Sequence, residues 1–328
     1  MSNGVKGSEI LVTGGAGFIG SALVRKLEKM GCKVIVLDNL VAGRREHLFN
    51  TNAELIVGDI RNKELLKYIL KKNDIKYCFH LAAEPYIPKG YQNPEIMFDV
   101  NTLGSINVLL ECYKHGVKRI IQYSTSEVYG TAQTLPMSES HPLNPHSIYA
   151  LAKLAADRAS FILWKEKRVP VVILRQFNTF GPREAQPYII PEIISQFTKK
   201  STVTLGNVNA KRDFVWVYDA CDQVIKLMDT PGIEGKAINF GRGMNWSIKE
   251  IVEKIAHIMG KNNYGIDIDQ SRLRPYDVDE LLCDCTLFKT LVGDVTYTSF
   301  DDGLKWLIDW YRRHENKWSW ERTGNGNH

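Results

Sequence analysis

No apolar run in this sequence approaches the roughly 20 residues that a bilayer-spanning helix requires. The opening stretch, MSNGVKGSEILVTGG, has no apolar core of the signal-peptide kind, so a cytoplasmic protein is expected. There is no long block of lysine or arginine either, and a formal charge of +5 is small for 328 residues. Neither a membrane nor a nucleic acid is therefore expected as a partner. Cysteine is sparse and scattered, at Cys32, Cys78, Cys112, Cys221, Cys283 and Cys285, mostly inside apolar segments. That pattern predicts buried free thiols rather than a disulfide framework. Cys283 and Cys285 have no second pair near them, so no metal site is expected. The chain carries no internal repeat.

What the first half does have is alternation. Short β-branched runs stand at EILVT (9–13), KVIVLD (33–38), AELIVG (53–58), KYCFHLA (76–82), RIIQYS (119–124) and PVVILR (170–175). Between them, apolar residues recur at three- and four-residue spacing, as in 17–30 and 101–115. Strand and helix in turn imply parallel strands joined by crossover helices. The expected fold is α/β, a doubly wound (Rossmann) parallel sheet with a second, smaller mixed lobe. Residues 1–180 are expected to form the dinucleotide-binding part and residues 181–322 the smaller lobe. A strand from the second half is expected to return to the first sheet, and residues 323–328 (TGNGNH) to form a disordered tail. Trp306, Trp310 and Tyr311 follow a helical spacing and are expected in the core.

Residues 13–20 read TGGAGFIG. Gly14, Gly17 and Gly20 fit a glycine-rich turn directly after the first strand, with Phe18 and Ile19 opening a helix. Such a turn lets backbone approach a pyrophosphate at the helix N-terminus. Asp38, followed by Asn39, ends the second strand, where an acid can accept from ribose hydroxyls and repel a 2′-phosphate. That predicts NAD, although Arg44 and Arg45 nearby suit a 2′-phosphate. Asp59 and Ile60 end a later strand at the same sheet edge, as adenine contacts or as a turn and a core residue.

Tyr149 and Lys153 are four apart in a helical segment, hence on one face. An ammonium there is expected to lower the phenol from its ordinary value of about 10 and make it a usable base. Thr125, Ser126 and Glu127 follow a strand of the sheet, at the end where ligands bind. In the second half Arg212 and Arg274 suit bidentate phosphate binding, or surface ion pairs. Lys89 has the reach to enter the crevice.

Taken together, TGGAGFIG, HLAA (80–83), STSEVYG (124–130), Tyr149-x-x-x-Lys153 and NTFGPR (178–183) resemble the extended short-chain dehydrogenase/reductases. Within that group the Ser-Thr-x-Glu-Val-Tyr-Gly segment resembles the nucleotide-sugar 4,6-dehydratases. The stretch RLRPYDVDELLCD (272–284) is similar to dehydratases acting on N-acetylglucosamine nucleotides in legionaminic-type pathways. The resemblance implies NAD as cofactor, a nucleotide-diphosphate sugar as substrate, and a homodimer built on segments 101–115 and 147–164. It implies that Thr125 bonds the sugar O4, Tyr149 takes the O4 proton, and Lys153 holds the nicotinamide ribose. Glu127 would remove the C5 proton. Leu81, Ala82, Ala83 and Asn101 would shape the cofactor wall. Asn178, Arg183, Arg212 and Arg274 would hold the substrate. One departure stands out: Ser126 occupies the place of an aspartate that donates a proton in the dTDP-glucose dehydratases. A 4-epimerase, a 5,6-dehydratase and a UDP-glucuronate decarboxylase of the same fold remain as alternatives.

Overall fold

The computed structural model describes residues 4–273 and 276–322, so Arg274 and the tail at 323–328 lie outside the described residues. The first half runs β1 (Glu9–Thr13), α1 (Phe18–Lys29), β2 (Lys33–Asp38), β3 (Glu54–Val57), α2 (Lys63–Lys72) and β4 (Ile75–His80). It continues with α3 (Ile87–Gln92), α4 (Pro94–Phe98), α5 (Ser105–Lys114), β5 (Arg119–Tyr123), α6 (Ile148–Lys167) and β6 (Val171–Gln176). The second half follows as β7 (Asn178–Phe180), α7 (Ile189–Lys199), β8 (Thr202–Leu205), β9 (Lys211–Trp216), α8 (Val217–Leu227) and β10 (Ala237–Phe240). It closes with β11 (Asn245–Ser247), α9 (Ile248–Ile258), β12 (Gly265–Ile268), α10 (Thr286–Val292), α11 (Phe300–Arg313) and α12 (Ser319–Arg322).

Seven strands form one parallel sheet in the order β10-β6-β5-β4-β1-β2-β3. The near-continuous apolar character of these strands follows from burial on both faces. In β1, successive side chains part company as the two-residue period demands. Ile10 and Val12 join Leu23 and Leu27 of α1 and Val224 of α8. Leu11 faces the other way, among Leu66 of α2 and Val108 and Leu109 of α5. A fully buried aliphatic side chain contributes roughly 1.5–3 kcal/mol, so these two layers dominate stability. Several of the helices begin on polar caps: Asn62 accepts from the Leu65 amide, Ser147 from Ala150, and Ser247 forms a reciprocal box with Glu250.

After β6 the pattern changes. β9 pairs in parallel with β7 and antiparallel with β11, while β8 and β12 form a separate pair. α7, α9 and α11 supply a second core through Ile193, Phe197, Ile251 and Leu304. Two elements of this half serve the first sheet instead: β10 hydrogen-bonds to β6, and α8 packs on α1. Tyr311 and Trp318 are buried in the second core with rings 4.9 Å apart. Trp306 departs from its core expectation: it stands 53% exposed on α11 because Leu304, Leu307 and Ile308 take the buried face of that helix. All six cysteines are buried and free.

One polar network ties the halves of the sheet together. Asp157 of α6 accepts from Arg175 of β6 through both carboxylate oxygens, at 2.9 and 3.1 Å, and from the Ser124 hydroxyl at 3.0 Å. Arg175 also donates to the Tyr129 hydroxyl, which donates in turn to Asn239 of β10. Neither ion is exposed beyond 3%. Replacing Asp157 with Ala strands a buried guanidinium, and we expect a loss of about 3–5 kcal/mol in urea unfolding. Asp157→Ala combined with Arg175→Met should be less destabilised than Asp157→Ala alone.

Candidate functional site

The C-terminal ends of the parallel strands open onto one cavity of about 1000 Å³. That is the edge of an open α/β sheet where ligands bind. Its first wall is the turn between β1 and α1. Gly14 has φ +73°, and a Cβ there would meet the Ala82 amide nitrogen at 2.7 Å. At Gly20 a Cβ would stand 2.2 Å from the Gly14 carbonyl oxygen, so α1 closes on its own turn only without a side chain. Gly17 is the N-cap of α1 and offers no side-chain acceptor to the first amides of the helix. Gly14, Gly17, Phe18, Ile19 and Gly20 all line the cavity, which suits a pyrophosphate.

Asp38 lines the same wall, its carboxylate fixed by the amides of Ala16 at 3.0 Å and Leu40 at 2.8 Å. Burial raises its pKa, and those two donors oppose the rise. Arg44 and Arg45 do not line the cavity. Asn39 donates to Asp59 at 3.1 Å. Asp59 is held down to about 2, first by its bond to Arg61. Ile60, Leu81, Ala82 and Ala83 complete this wall. Behind it, the Thr13 hydroxyl lies 2.6 Å from His80 Nδ1 and accepts from the Ala82 amide, while His80 Nε2 lies 2.9 Å from the Ser105 hydroxyl. Burial, then the charge of Lys153, lowers His80 to about 3.

The second wall carries ionisable groups. Thr125, Glu127, Tyr149 and Lys153 all line the cavity. The Thr125 hydroxyl caps a 3₁₀ turn at Ser126–Tyr129, accepting from the Glu127 amide at 3.2 Å, and also bonds Tyr149. Lys153 is buried; its Nζ donates to the Tyr123 carbonyl at 2.5 Å, and burial lowers it to about 8 against the pull of Asp157. The expected lowering of the Tyr149 pKa is not found. Burial and the neighbouring Glu127 carboxylate push the phenol up from its ordinary value, and the bond to Thr125 only partly offsets them. The reason is orientation: the Lys153 ammonium is turned to a carbonyl of β5.

Three other expectations are corrected. Ser126 is buried and does not line the cavity, because the 3₁₀ turn directs its neighbours Thr125 and Glu127 inward instead. Arg183 does not line the cavity either: it donates to Ser21 of α1 at 2.8 Å and to Tyr218. Asn101 is not on the wall but one shell behind it, in a π-helical segment at Asp99–Gly104. Its side chain clamps both backbone groups of Glu84, at 2.7 and 3.1 Å. Lys89 lines the cavity and pairs with Glu84 at 2.5 Å. Asn178 lines it with a buried Oδ1 that has no hydrogen-bond partner among the described residues. Arg212 lines it too, with Asp277 at 3.6 Å. Arg274 lies outside the described residues.

The cavity also contains Glu84, Tyr86, Glu184, Tyr188 and Arg272, which the sequence reading did not select. Glu84 follows β4 at the same sheet edge as Thr125 follows β5, so the edge rule alone would have found it. Glu184 and Tyr188 lie on a long connection whose path no local pattern encodes.

The family model described as GDP-mannose 4,6 dehydratase matches residues 11–307. The chain belongs to that family. It is thus one of the nucleotide-sugar dehydratases and epimerases of the extended short-chain dehydrogenase/reductase group. It is 30% identical to a dTDP-glucose 4,6-dehydratase of Mycobacterium tuberculosis over 94% of this chain and 95% of the relative. It is 29% identical to a UDP-glucose 4-epimerase of Lactobacillus helveticus over 93% and 98%. The crystal structure of DesIV, a dTDP-glucose 4,6-dehydratase from Streptomyces venezuelae solved with NAD bound, superposes with TM-score 0.86 at 28% identity, covering 94% of this chain and 98% of that one.

His80 is neutral in the fold, whereas a histidine in the unfolded chain titrates near 6.5. Below 6.5 the unfolded state therefore binds the extra proton, and stability present above that pH is lost as pH falls toward about 3. The contribution is on the order of 4 kcal/mol. Urea unfolding followed from pH 7 to pH 4 should show the loss, with a shallower slope in His80→Gln. An equal slope in both proteins would refute the assignment.

Proposed function

We propose that this chain binds NAD and removes water across C5 and C6 of a nucleotide-activated hexose, giving a 4-keto-6-deoxy sugar. The observation that carries the reading is the pairing of Tyr149 with Glu127 on one cavity wall, close enough for the carboxylate to perturb the phenol. Two groups that each handle one proton are what successive chemistry at O4 and C5 requires.

The wall around Asp38 fits NAD. The open turn at Gly17 and the uncapped start of α1 suit the pyrophosphate. Asp38, already oriented by two amides, is left to accept from ribose hydroxyls. Arg44 and Arg45 are off the wall, and the cation that does line it, Arg61, is paired with Asp59 at 2.8 Å. Bound NAD supplies a two-electron oxidant and a positive charge beside the phenol. Near such a charge Tyr149 Oη releases its proton more readily, and it then takes the proton of the sugar O4. Thr125 orients that oxygen, and Lys153 would hold ribose hydroxyls with the ammonium protons not given to the Tyr123 carbonyl. A ketone at C4 acidifies C5–H; Glu127 removes that proton, and once water has left C6 the hydride taken from C4 would return to C6 and the proton to C5. Arg212, Asn178 and Lys89 are proposed to hold the diphosphate and sugar, with Arg272 added from the geometry.

A 4-epimerase would use the same Thr125, Tyr149 and Lys153, and relatives bearing that name match this chain about as well. It would leave Glu127 without a task. The family resemblance to enzymes of N-acetylglucosamine nucleotides supports that sugar as the first to try. α6 also presents Leu151 and Ile162, both exposed and three turns apart on one face, beside exposed Tyr113 of α5. We propose that this face pairs with its copy in a homodimer.

Incubation with UDP-, dTDP- and GDP-sugars should give a product lighter by one water, with no net NADH release. Glu127→Gln should lower that rate by about 10²–10⁴-fold. Epimerisation that survives in the variant, with no water loss in the parent, would establish the epimerase instead. In light scattering, Leu151→Glu should halve the mass of the parent dimer.

A further inference from the structure

Glu184 is a carboxyl group on the cavity wall that the mechanism above leaves unused. It is 2% exposed. Its Oε1 accepts from the Gly181 amide at 3.0 Å, and that is the one hydrogen bond it makes within the described residues. No cation among the described residues pairs with it. Neighbouring Arg183 points away, to Ser21 and Tyr218. The titratable group facing it is Tyr188, just before α7. That phenol in turn feels Tyr149 of α6, and Glu84 and Tyr86 after β4. Glu84 is already paired with Lys89. A buried carboxylate with a single backbone donor is poorly compensated for lost water. Burial accordingly pushes Glu184 up to about 8, against the Gly181 amide, so it holds a proton at neutral pH.

The elimination lacks an acid. Hydroxide is a poor leaving group, Glu127 is occupied as the base at C5, and Ser126 is off the wall. We propose that Glu184 protonates the oxygen leaving C6, an assignment that rests on the dehydratase reading. As Glu127 takes the C5 proton, the C5–H electron pair becomes the C5=C6 bond. The C6–O bond breaks with its pair on oxygen, and the proton on Glu184 Oε2 passes to that oxygen, which departs as water. Oε1 stays anchored on Gly181, leaving Oε2 to carry the proton. Glu184 ends as a carboxylate and recovers a proton from water in the open cavity.

The test compares a nucleotide sugar with its 6-deoxy-6-fluoro analogue, since fluoride leaves without a proton donor. Glu184→Gln keeps an acceptor for the Gly181 amide and removes the acid. It should lower kcat on the hydroxyl substrate by about 10²–10⁴-fold and change kcat on the fluoro substrate by less than about tenfold. In infrared difference spectra at pH 7, a protonated-carboxyl band of the parent should vanish in the variant. Equal losses on both substrates, or an unchanged band, would overturn the assignment and leave Glu184 as a loop anchor. A parent enzyme that eliminates neither hydroxide nor fluoride would instead sink the dehydratase reading, and this role with it.

Discussion

The buried carboxylate of Asp157 is the constraint on which the reactive wall depends. It sits one helical turn beyond Lys153 on α6 and binds Arg175 of β6 and Ser124 at the end of β5. One side chain therefore sets the distance between the helix bearing Tyr149 and Lys153 and the strand end bearing Thr125 and Glu127. Arg175 carries the same constraint on to Tyr129 and, through it, to β10. A pair this deep offers little net stability over an apolar pair of like volume. Its value lies in geometry, because carboxylate and guanidinium accept few alternative arrangements.

The cavity it frames is rich in acids and phenols. Glu84, Glu127 and Glu184 meet Tyr86, Tyr149 and Tyr188, with Lys89, Lys153, Arg212 and Arg272 as the principal cations. Burial acts on this set in one direction: it favours neutral forms, raising Tyr149 and Glu184 and lowering Lys153. Several of the cations already have acidic partners: Arg212 meets Asp277, Arg272 meets Glu192 and Lys89 meets Glu84. On the proposed reading, a diphosphate at Arg212 and Arg272 would compete with carboxylates already in place. On the same reading, positive charge brought by a cofactor would fall on the wall where Tyr149 and Lys153 stand. On the proposed reading, the site separates a region for the anionic substrate from a region where protons are exchanged.

Local signals carried much of this. Alternating apolar strands and amphipathic helices specified the parallel sheet, because only burial on both faces tolerates such strands. The glycines of TGGAGFIG, Asp38 after β2 and Thr125 with Glu127 after β5 were legible because each follows a strand directly, and strand ends share one edge of the sheet. The Tyr149–Lys153 spacing likewise placed both side chains on one helix face and in one cavity.

Tertiary structure decided the rest. That Ser126 is turned inward to the core while its neighbours face the cavity depends on a 3₁₀ turn, not on strand alternation. Arg183 bonds Ser21 of α1 and Tyr218 of α8, partners far from it in the chain. The direction of the Tyr149 pKa reflects desolvation and the aim of one lysine, neither of which a four-residue spacing encodes. Glu184 and Tyr188 reach the cavity from a connection with no periodicity at all. The sequence by itself determined the secondary elements and the edge at which chemistry gathers, since both follow from short-range pattern. Which side chains turn toward that edge, and in which charge state, was decided only by the packing of segments distant in the chain.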